Sequence, residues 1–477
     1  MSRPVVLIHG YSDSSDSFQQ WIDQFKDICS DQPNFSVHLC DYRTLTNEIS
    51  LKDIAEGFDR ALRNDVKLGN GQEFDAIVHS TGMLVIRAWL TSYKPDERQG
   101  RLKHLVALAP ATFGSPLAKK GRSWLGAIFK GNRDLGPDFL DAGDQILDAL
   151  ELASPHTWEL AHKDLLSPKP FYGPGSETPY VFTFCGTSTY GFVTDIVTNE
   201  QGSDGTVRWA GCVLNTRKIT IDLSFDDTPA TGTEADRQRV AVSPWSNIEI
   251  PFIPIEGMHH GDIIKNPDRA LVSMVADALQ VSDQTSYEAW CAKAGKQAAK
   301  LLKKMTAWQQ FIVRAVDERG DPIPDYYIQL YMDMGNDTRN KLYEFAMDVS
   351  PYSKDPSYRC FHVNLDELAQ RTQVNDISTL DNLWLRIMAT TGTRLVGYTG
   401  YGAEEVLHDG SHANRPGAWD AKILIPQHIK DEDGNSVSFF HPFTTTLVEI
   451  ILNREPFPFE INKPNDIACI QECWAVA

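Results

Sequence analysis

The chain has 477 residues, more than one hydrophobic core usually supports, and its 42% apolar and 10% aromatic content is that of a folded globular protein. The net charge of -19 is spread along the sequence, and no lysine- or arginine-rich stripe interrupts it. This balance excludes nucleic acid as an expected partner, because the protein would repel phosphates.

The first residues, MSRPVVLIHG, lack the cleavage site of a secretory signal, and no apolar stretch is long enough to cross a bilayer. We therefore expect a cytoplasmic protein, with secretion by a signal-independent route as the alternative. The eight cysteines are scattered singly, which predicts free thiols. No cofactor and no metal site are expected; a metal at His408 and His412 is less favoured than a solvated polar loop.

Residues 4 to about 280 alternate apolar runs with amphipathic stretches, which predicts strands and helices wound into a mostly parallel sheet. Helices are predicted over 50–63 and 83–92. The predicted strands are Val5–Ile8, Phe35–Cys40, Phe74–His79, His104–Ala109, Tyr180–Cys185 and Ile248–Ile253.

The strand pattern gives way to helical stretches from about residue 116 to 175. An insertion of this size exceeds an ordinary connection, so it is interpreted as a helical lid. It contains Trp124, Leu125, Ile128 and Phe129 between basic residues, a composition suited to an acyl chain or a lipid surface. Helices that simply pack against the sheet are the alternative.

Residues 284–305 are rich in alanine and lysine and predict a helical linker that follows a catalytic domain over 1–283. Beyond it, short β-rich segments recur between glycine and proline turns. We expect residues 306–477 to form an antiparallel β-sandwich, an accessory domain of open function.

The segment FDAIVHSTGMLVIRAWL places Ser80 where an apolar strand runs directly into a helix. A sharp turn at that junction holds a serine oxygen above the sheet, which makes Ser80 the candidate nucleophile. Val78 stands where the usual G-x-S-x-G motif has its first glycine. An ordinary helix-capping serine is the alternative.

The N-terminal run PVVLIHGYSD is a buried strand that ends in a glycine and continues into a polar loop. Gly10 permits a close turn that leaves the N–H of Tyr11 available to a developing negative charge. The N–H of Thr81, at the start of the helix behind Ser80, is the second candidate for this oxyanion hole.

Asp204 lies in a glycine-flanked loop, and His259 and His260 follow a short apolar strand. A carboxylate can orient a histidine, and a histidine on such a loop can act as general base. The order Ser80, Asp204 and then histidine is the serine, acid, histidine order of α/β-hydrolases. The residues alone leave His259 and His260 as alternatives.

Over residues 4 to 280 the chain resembles the α/β-hydrolase lipases and carboxylesterases. The resemblance rests on His9-Gly10, V-H-S-T-G, APATFGSPLA, Ser203-Asp204-Gly205 and Gly257-Met-His-His260. It implies an α/β-hydrolase fold, with Asp204 as the acid. The family's G-x-x-H pattern matches Gly257 to His260, which favours His260 as the base over His259.

The expected function is a serine hydrolase that cleaves carboxylic esters of apolar or fatty acyl groups through an acyl-enzyme. The expected partners are an ester or lipid substrate and a peripheral lipid surface, with the oligomeric state open. The alternatives are a phospholipase delivered as a toxin, an acyltransferase, and a non-catalytic lipid-binding protein with the same fold.

Overall fold

The structure is a computed structural model of the whole chain. It describes residues 3–11, 13–29, 36–92, 95–98, 100–120, 143–190, 200–224, 239–243, 250–332, 340–341, 347–375, 377, 383–393, 396–401, 418–425, 428–430 and 436–456.

The described strands are β1 (Val5–Ile8), β2 (Val37–Cys40), β3 (Phe74–His79), β4 (Leu102–Leu108), β5 (Tyr180–Gly186), β6 (Thr216–Asp222), β7 (Val240–Val242), β8 (Phe252–Ile255), β9 (Trp308–Asp317), β10 (Tyr326–Met332), β11 (Asn340–Lys341), β12 (Met347–Pro351), β13 (Tyr358–Asn364), β14 (Leu383–Thr390), β15 (Val396–Thr399), β16 (Ala418–Leu424), β17 (His428–Lys430), β18 (Ser436–Ser438) and β19 (Thr445–Pro456).

The described α-helices are α1 (Gln19–Ile28), α2 (Leu51–Asn64), α3 (Gly82–Ser92), α4 (Pro95–Arg98), α5 (Leu117–Lys120), α6 (Asp144–Leu150), α7 (Pro155–Asp164), α8 (Asp262–Lys265), α9 (Arg269–Ala278), α10 (Gln284–Leu302) and α11 (Leu365–Thr372). Short 3-10 helices cover Ser15–Phe18 and Trp209–Gly211.

The N-terminal part is a six-stranded parallel sheet in the order β2-β1-β3-β4-β5-β8. Strands β1 and β3 are buried along their whole length, as expected of parallel strands covered on both faces. Strand β8 begins at Phe252, later than predicted, because Pro251 precedes it. The predicted mostly parallel sheet is confirmed.

Side chains cap the first turn of several helices in this part. At the start of α2, Ser50 and Asp53 form a capping box, and Ile54, Phe58 and Leu62 then bury one face at four-residue spacing. Helix α3 is buried from Gly82 to Leu90 and runs behind β3. The strand-to-helix junction at residue 80 is therefore enclosed by packed structure.

The C-terminal strands form two larger sheets. One is antiparallel, in the order β11-β10-β14-β16. The other has the order β12-β13-β9-β19-β6-β7, with β15 also paired to β19. Side chains from both sheets share one apolar core, represented by Ile219, Phe311, Ile328, Leu385 and Val448. The second sheet is mixed rather than wholly antiparallel, because β19 runs parallel to both β9 and β6.

Strands β6 and β7 come from the range predicted as the catalytic domain, yet they hydrogen-bond within the C-terminal sheet. Ile219 and Ile221 of β6 point into the C-terminal core, since alternate residues of a strand face one side. A segment from the predicted catalytic domain therefore contributes two strands to a C-terminal sheet. The ranges 1–283 and 306–477 stay predictions, but residues 216–222 and 240–242 pack with the second part.

The described helices of the insertion lie between the parallel sheet and the mixed sheet. Asp164 of α7 forms a fully buried bidentate ion pair with Arg87 of α3, at 2.8 and 2.9 Å. On the other side, the ring of Trp158 packs edge-on against Tyr358 of β13, with centroids 5.8 Å apart. Residues 121–142, which include Trp124, Leu125, Ile128 and Phe129, lie outside the described residues.

The described ranges contain eleven α-helices, the longest of which is α10 (Gln284–Leu302). None of the helices there combines the length and the apolar composition needed to span a bilayer.

Candidate active site

Ser80 stands at the turn between β3 and α3 in a left-handed backbone conformation, with φ at 52°. Its N–H donates to the Leu108 carbonyl over 3.2 Å, and its own carbonyl accepts from the N–H of Ala111 over 3.1 Å. A non-glycine residue in this region is strained by about 1–3 kcal/mol and persists only where its surroundings impose it. The turn thus has the backbone of a nucleophile elbow.

Two glycines make room for this turn. A side chain at Gly10 would begin 2.8 Å from Ser80 Cβ and 3.4 Å from Ser80 Oγ. One at Gly82 would begin 2.8 Å from the carbonyl oxygen of Ile8. Val78 needs no such space, since its side chain is buried in the core beside Ile8. The departure from G-x-S-x-G is therefore accommodated by packing below the turn.

Asp204 is carried by the acid hairpin, residues 200–212, which follows β5. Its Oδ1 accepts from the N–H groups of Thr206 and Val207 at 3.0 and 2.8 Å, so the carboxylate is held by its own loop. Its Oδ2 accepts from His260 Nδ1 over 2.8 Å, and both side chains are fully buried. A second bond joins the His260 N–H to the Asp204 carbonyl over 3.0 Å.

The structure distinguishes the two neighbouring histidines by their partners. His259 faces outward: its Nε2 lies 3.0 Å from Asp262, and its Nδ1 accepts from the Gly261 N–H over 3.1 Å. His260 turns inward to Asp204. Because a carboxylate only accepts, His260 Nδ1 carries the hydrogen, and Nε2 is the nitrogen able to take up a proton.

His79 connects the elbow to the histidine loop, and the sequence reasoning did not identify it. Its Nε2 donates to the carbonyl of His260 over 3.1 Å, and the two rings lie 4.6 Å apart. Burial, followed by the nearby charge of His260, holds the pKa of His79 well below its ordinary value. The signal was present within V-H-S-T-G, but the partner of His79 is 181 positions away.

The two candidate oxyanion residues come from the loop after β1 and from the elbow itself. Tyr11 follows Gly10, whose closeness to Ser80 brings this loop to the serine. Burial raises the pKa of the Tyr11 phenol to about 12, so that the side chain is neutral. Thr81 is fully buried and comes directly after Ser80.

Within the described ranges, no group of three or more His, Cys, Asp or Glu side chains could hold a metal ion. His408 and His412 lie outside those ranges. The expectation that the protein needs neither metal nor cofactor stays a prediction.

Neither a protein-family model nor a curated protein matches the sequence. Among solved structures, the chain is similar to phospholipase PlaB from Legionella pneumophila, with a TM-score of 0.74 and 22% identity over 99% of this chain and 97% of that chain. A structure of the same phospholipase in complex with thio-NAD gives a TM-score of 0.73 and 21% identity, covering 98% of each chain.

A lipase from Bacillus licheniformis, BlEst2, gives a TM-score of only 0.39 and 16% identity over 59% of this chain and 93% of that chain, a similarity too low to bear on the fold. The likeness to PlaB extends over both parts of the molecule. The predicted fold class, an α/β-hydrolase sheet followed by a β-rich C-terminal part, is confirmed.

Proposed function

We propose that the protein is a carboxylic ester hydrolase in which Ser80, His260 and Asp204 form a catalytic triad. The observation that carries the proposal is the buried hydrogen bond from His260 Nδ1 to Asp204, beside a serine held in a strained strand-to-helix turn. These three groups play the parts of nucleophile, base and orienting acid in acyl transfer.

In the proposed mechanism Ser80 Oγ attacks the ester carbonyl carbon while His260 Nε2 removes its proton. Asp204 keeps the hydrogen on Nδ1 and stabilises the imidazolium. The N–H groups of Tyr11 and Thr81 receive the oxyanion, and each such donor typically lowers the barrier by about 3 kcal/mol.

Collapse of the tetrahedral intermediate breaks the bond to the alcohol, which leaves with the proton from His260. The acyl group remains on Ser80 Oγ. Water then attacks the acyl-enzyme, with His260 again as base, and the acid is released. These steps require no cofactor.

For the substrate we propose esters of apolar or fatty acyl groups. A phospholipid is the second candidate, and a specific observation favours it: the solved structure that matches along 99% of this chain is that of an enzyme described as a phospholipase. Both candidates share the ester of a long acyl chain and differ in the leaving group.

The test is labelling of the full chain with a fluorophosphonate and mapping of the modified peptide. We expect a single modification at Ser80, abolished in Ser80→Ala. p-Nitrophenyl esters of increasing chain length would rank acyl groups, and phosphatidylcholine vesicles would test the phospholipid. Folded protein that is neither labelled nor active would contradict the proposal and favour a lipid-binding protein.

A further inference from the structure

The acid hairpin rests on side chains that belong to the C-terminal sheets, not on the parallel sheet alone. We propose that these sheets position the catalytic acid, with Trp308 and Arg208 as positioning residues that set the place of Asp204 relative to His260. The inference rests on the proposed function and gives the C-terminal part a role in the same reaction.

Trp308, the first residue of β9, is the support under one arm of the hairpin. Gly202 has a φ of 69°, and a side chain there would begin 2.7 Å from Trp308 Cδ1. The Trp308 ring also stacks on His362 of β13, with centroids 4.3 Å apart and the planes 20° from parallel. The indole is thus enclosed between the hairpin backbone and a buried strand of the C-terminal part.

Arg208 holds the other arm. It is 2% exposed and donates from Nε to Glu200 Oε1 over 2.8 Å, which ties the two arms together. Its Nη1 donates to Cys360 Sγ of β13 over 3.4 Å, and its Nη2 lies 3.6 Å from Asp348 of β12. Burial raises the pKa of the Cys360 thiol to about 11, so the sulfur accepts as a neutral group. One guanidinium therefore joins the hairpin to itself and to two C-terminal strands.

The end of the hairpin is fixed in the same way. Thr445 of β19 donates from Oγ1 to the Ala210 carbonyl over 2.8 Å, and Thr216 donates from Oγ1 to the Thr445 carbonyl over 2.5 Å. Four residues after the 3-10 turn of the hairpin, the chain enters β6 as a strand of the mixed sheet. The hairpin therefore follows a strand of the parallel sheet and precedes a strand of the mixed sheet along the chain.

Between these supports Asp204 has little freedom. The bridge between Ser203 and Arg208 and the bond from the Trp209 N–H to the Gly202 carbonyl, 2.8 Å, make the tip rigid with respect to its arms. A shift of the arms therefore moves the carboxylate away from His260 Nδ1. A misplacement of about 1 Å at a reacting group can lower the rate about 100-fold.

The experiment compares Trp308→Ala, Trp308→Phe and Arg208→Lys in the full chain, with rates expressed per site titrated by fluorophosphonate. Arg314→Met is the matched control, since Arg314 lies on the same face of β9 as Trp308, about 20 Å further along, and hydrogen-bonds to Glu449. Turnover of p-nitrophenyl butyrate is measured from pH 5 to 9. The low-field proton resonance of His260 Nδ1–H reports the bond to Asp204 without any turnover.

We expect Trp308→Ala to lower kcat about 10- to 100-fold with little change in KM, and Trp308→Phe to recover most of it. The acidic limb of the pH profile of kcat/KM should move to lower pH. A displaced Asp204 stabilises the imidazolium less, which lowers the pKa of His260. Loss of folded protein alone would not move that limb. Arg208→Lys should give a smaller loss, and Arg314→Met none.

An unchanged limb and unchanged resonance in Trp308→Ala would overturn the inference, as would an equal loss in Arg314→Met. Wild-type protein without labelling at Ser80 would instead overturn the proposed function. In that case the resonance still decides whether Trp308 positions Asp204.

Discussion

Ser80 is positioned by neighbours within the first 111 residues of the chain, whereas the hairpin that carries Asp204 touches side chains at positions 308, 360 and 445. The serine side is an elbow between consecutive elements, closed by Gly10 and Gly82. The acid side is a loop supported by a second set of sheets.

Each side also contains a buried neutral histidine, His79 next to the elbow and His362 beneath the hairpin. The difference teaches that the nucleophile of one site can be positioned by local chain geometry, while its acid is positioned by the association of distant strands.

The largest expected effect is on kcat, and it distinguishes the two adjacent histidines, His259 and His260. His260→Ala should lower kcat by on the order of 10⁶, because the serine loses its base. His259→Ala, which removes the contact to Asp262 and the acceptor of the Gly261 N–H, should stay within a few-fold of wild type. Ester hydrolysis at pH 8 measures both, and a reversal would assign the base to the outward-facing ring.

On the acid side, Asp204→Asn should lower kcat about 10⁴-fold while the protein folds normally. The amide can donate to His260 and so favours the wrong tautomer. Steady-state kinetics measure the loss of kcat, and thermal unfolding serves as the control that the variant is folded. A small effect would mean that the hairpin carries no catalytic group and that its supports serve stability alone.

On the serine side, His79→Leu should lower kcat about 10- to 100-fold, since the carbonyl of His260 loses its donor and the base loop its fixed distance from Ser80. His79→Gln places an amide N–H near the former Nε2 and should restore much of the rate. Equal losses in both variants, measured by single-turnover acylation, would contradict a role for this hydrogen bond.

The smallest expected effect is on stability. Burial, with a further contribution from the charge of Arg208, holds the pKa of His362 well below its ordinary value of 6.5. Below pH 6.5 the unfolded chain therefore binds a proton that the folded chain does not, and stability falls as the pH is lowered.

The slope from one such group is at most about 1.4 kcal/mol per pH unit. Urea unfolding of wild type and His362→Phe at pH 5 and pH 7 should show a shallower pH dependence in the variant, while activity at pH 8 changes little. If the free energy of unfolding had the same pH dependence in wild type and in His362→Phe, His362 would be protonated in the folded state.

Much of the serine side could be predicted from sequence, because its determinants are contiguous. Strands β1 and β3 were predicted with the bounds they have, and the abrupt change from strand to helix at Ser80 is visible in the residues themselves. The candidate acid and base were found by their order along the chain and by a family pattern. Their roles remain predictions.

The acid side could be predicted only in part. Nothing near Arg208 indicates that its partners include Cys360, 152 positions away. The predicted strands do not include Thr216–Asp222, and β6 pairs with β19 rather than with the parallel sheet. Which distant strands pair, and in which register, is decided when the two cores associate. The periodicity of a single segment cannot predict that pairing.

The central position of β19 in the mixed sheet has a consequence for synthesis. Thr445 leaves the ribosome 229 residues after its partner Thr216, a delay of roughly 10 to 50 s at ordinary elongation rates. Throughout that interval the edge of β6 that will bind β19 lacks its partner, and an open strand edge is prone to wrong pairing. The nascent chain therefore completes the support of its acid hairpin only after β19 has been synthesised.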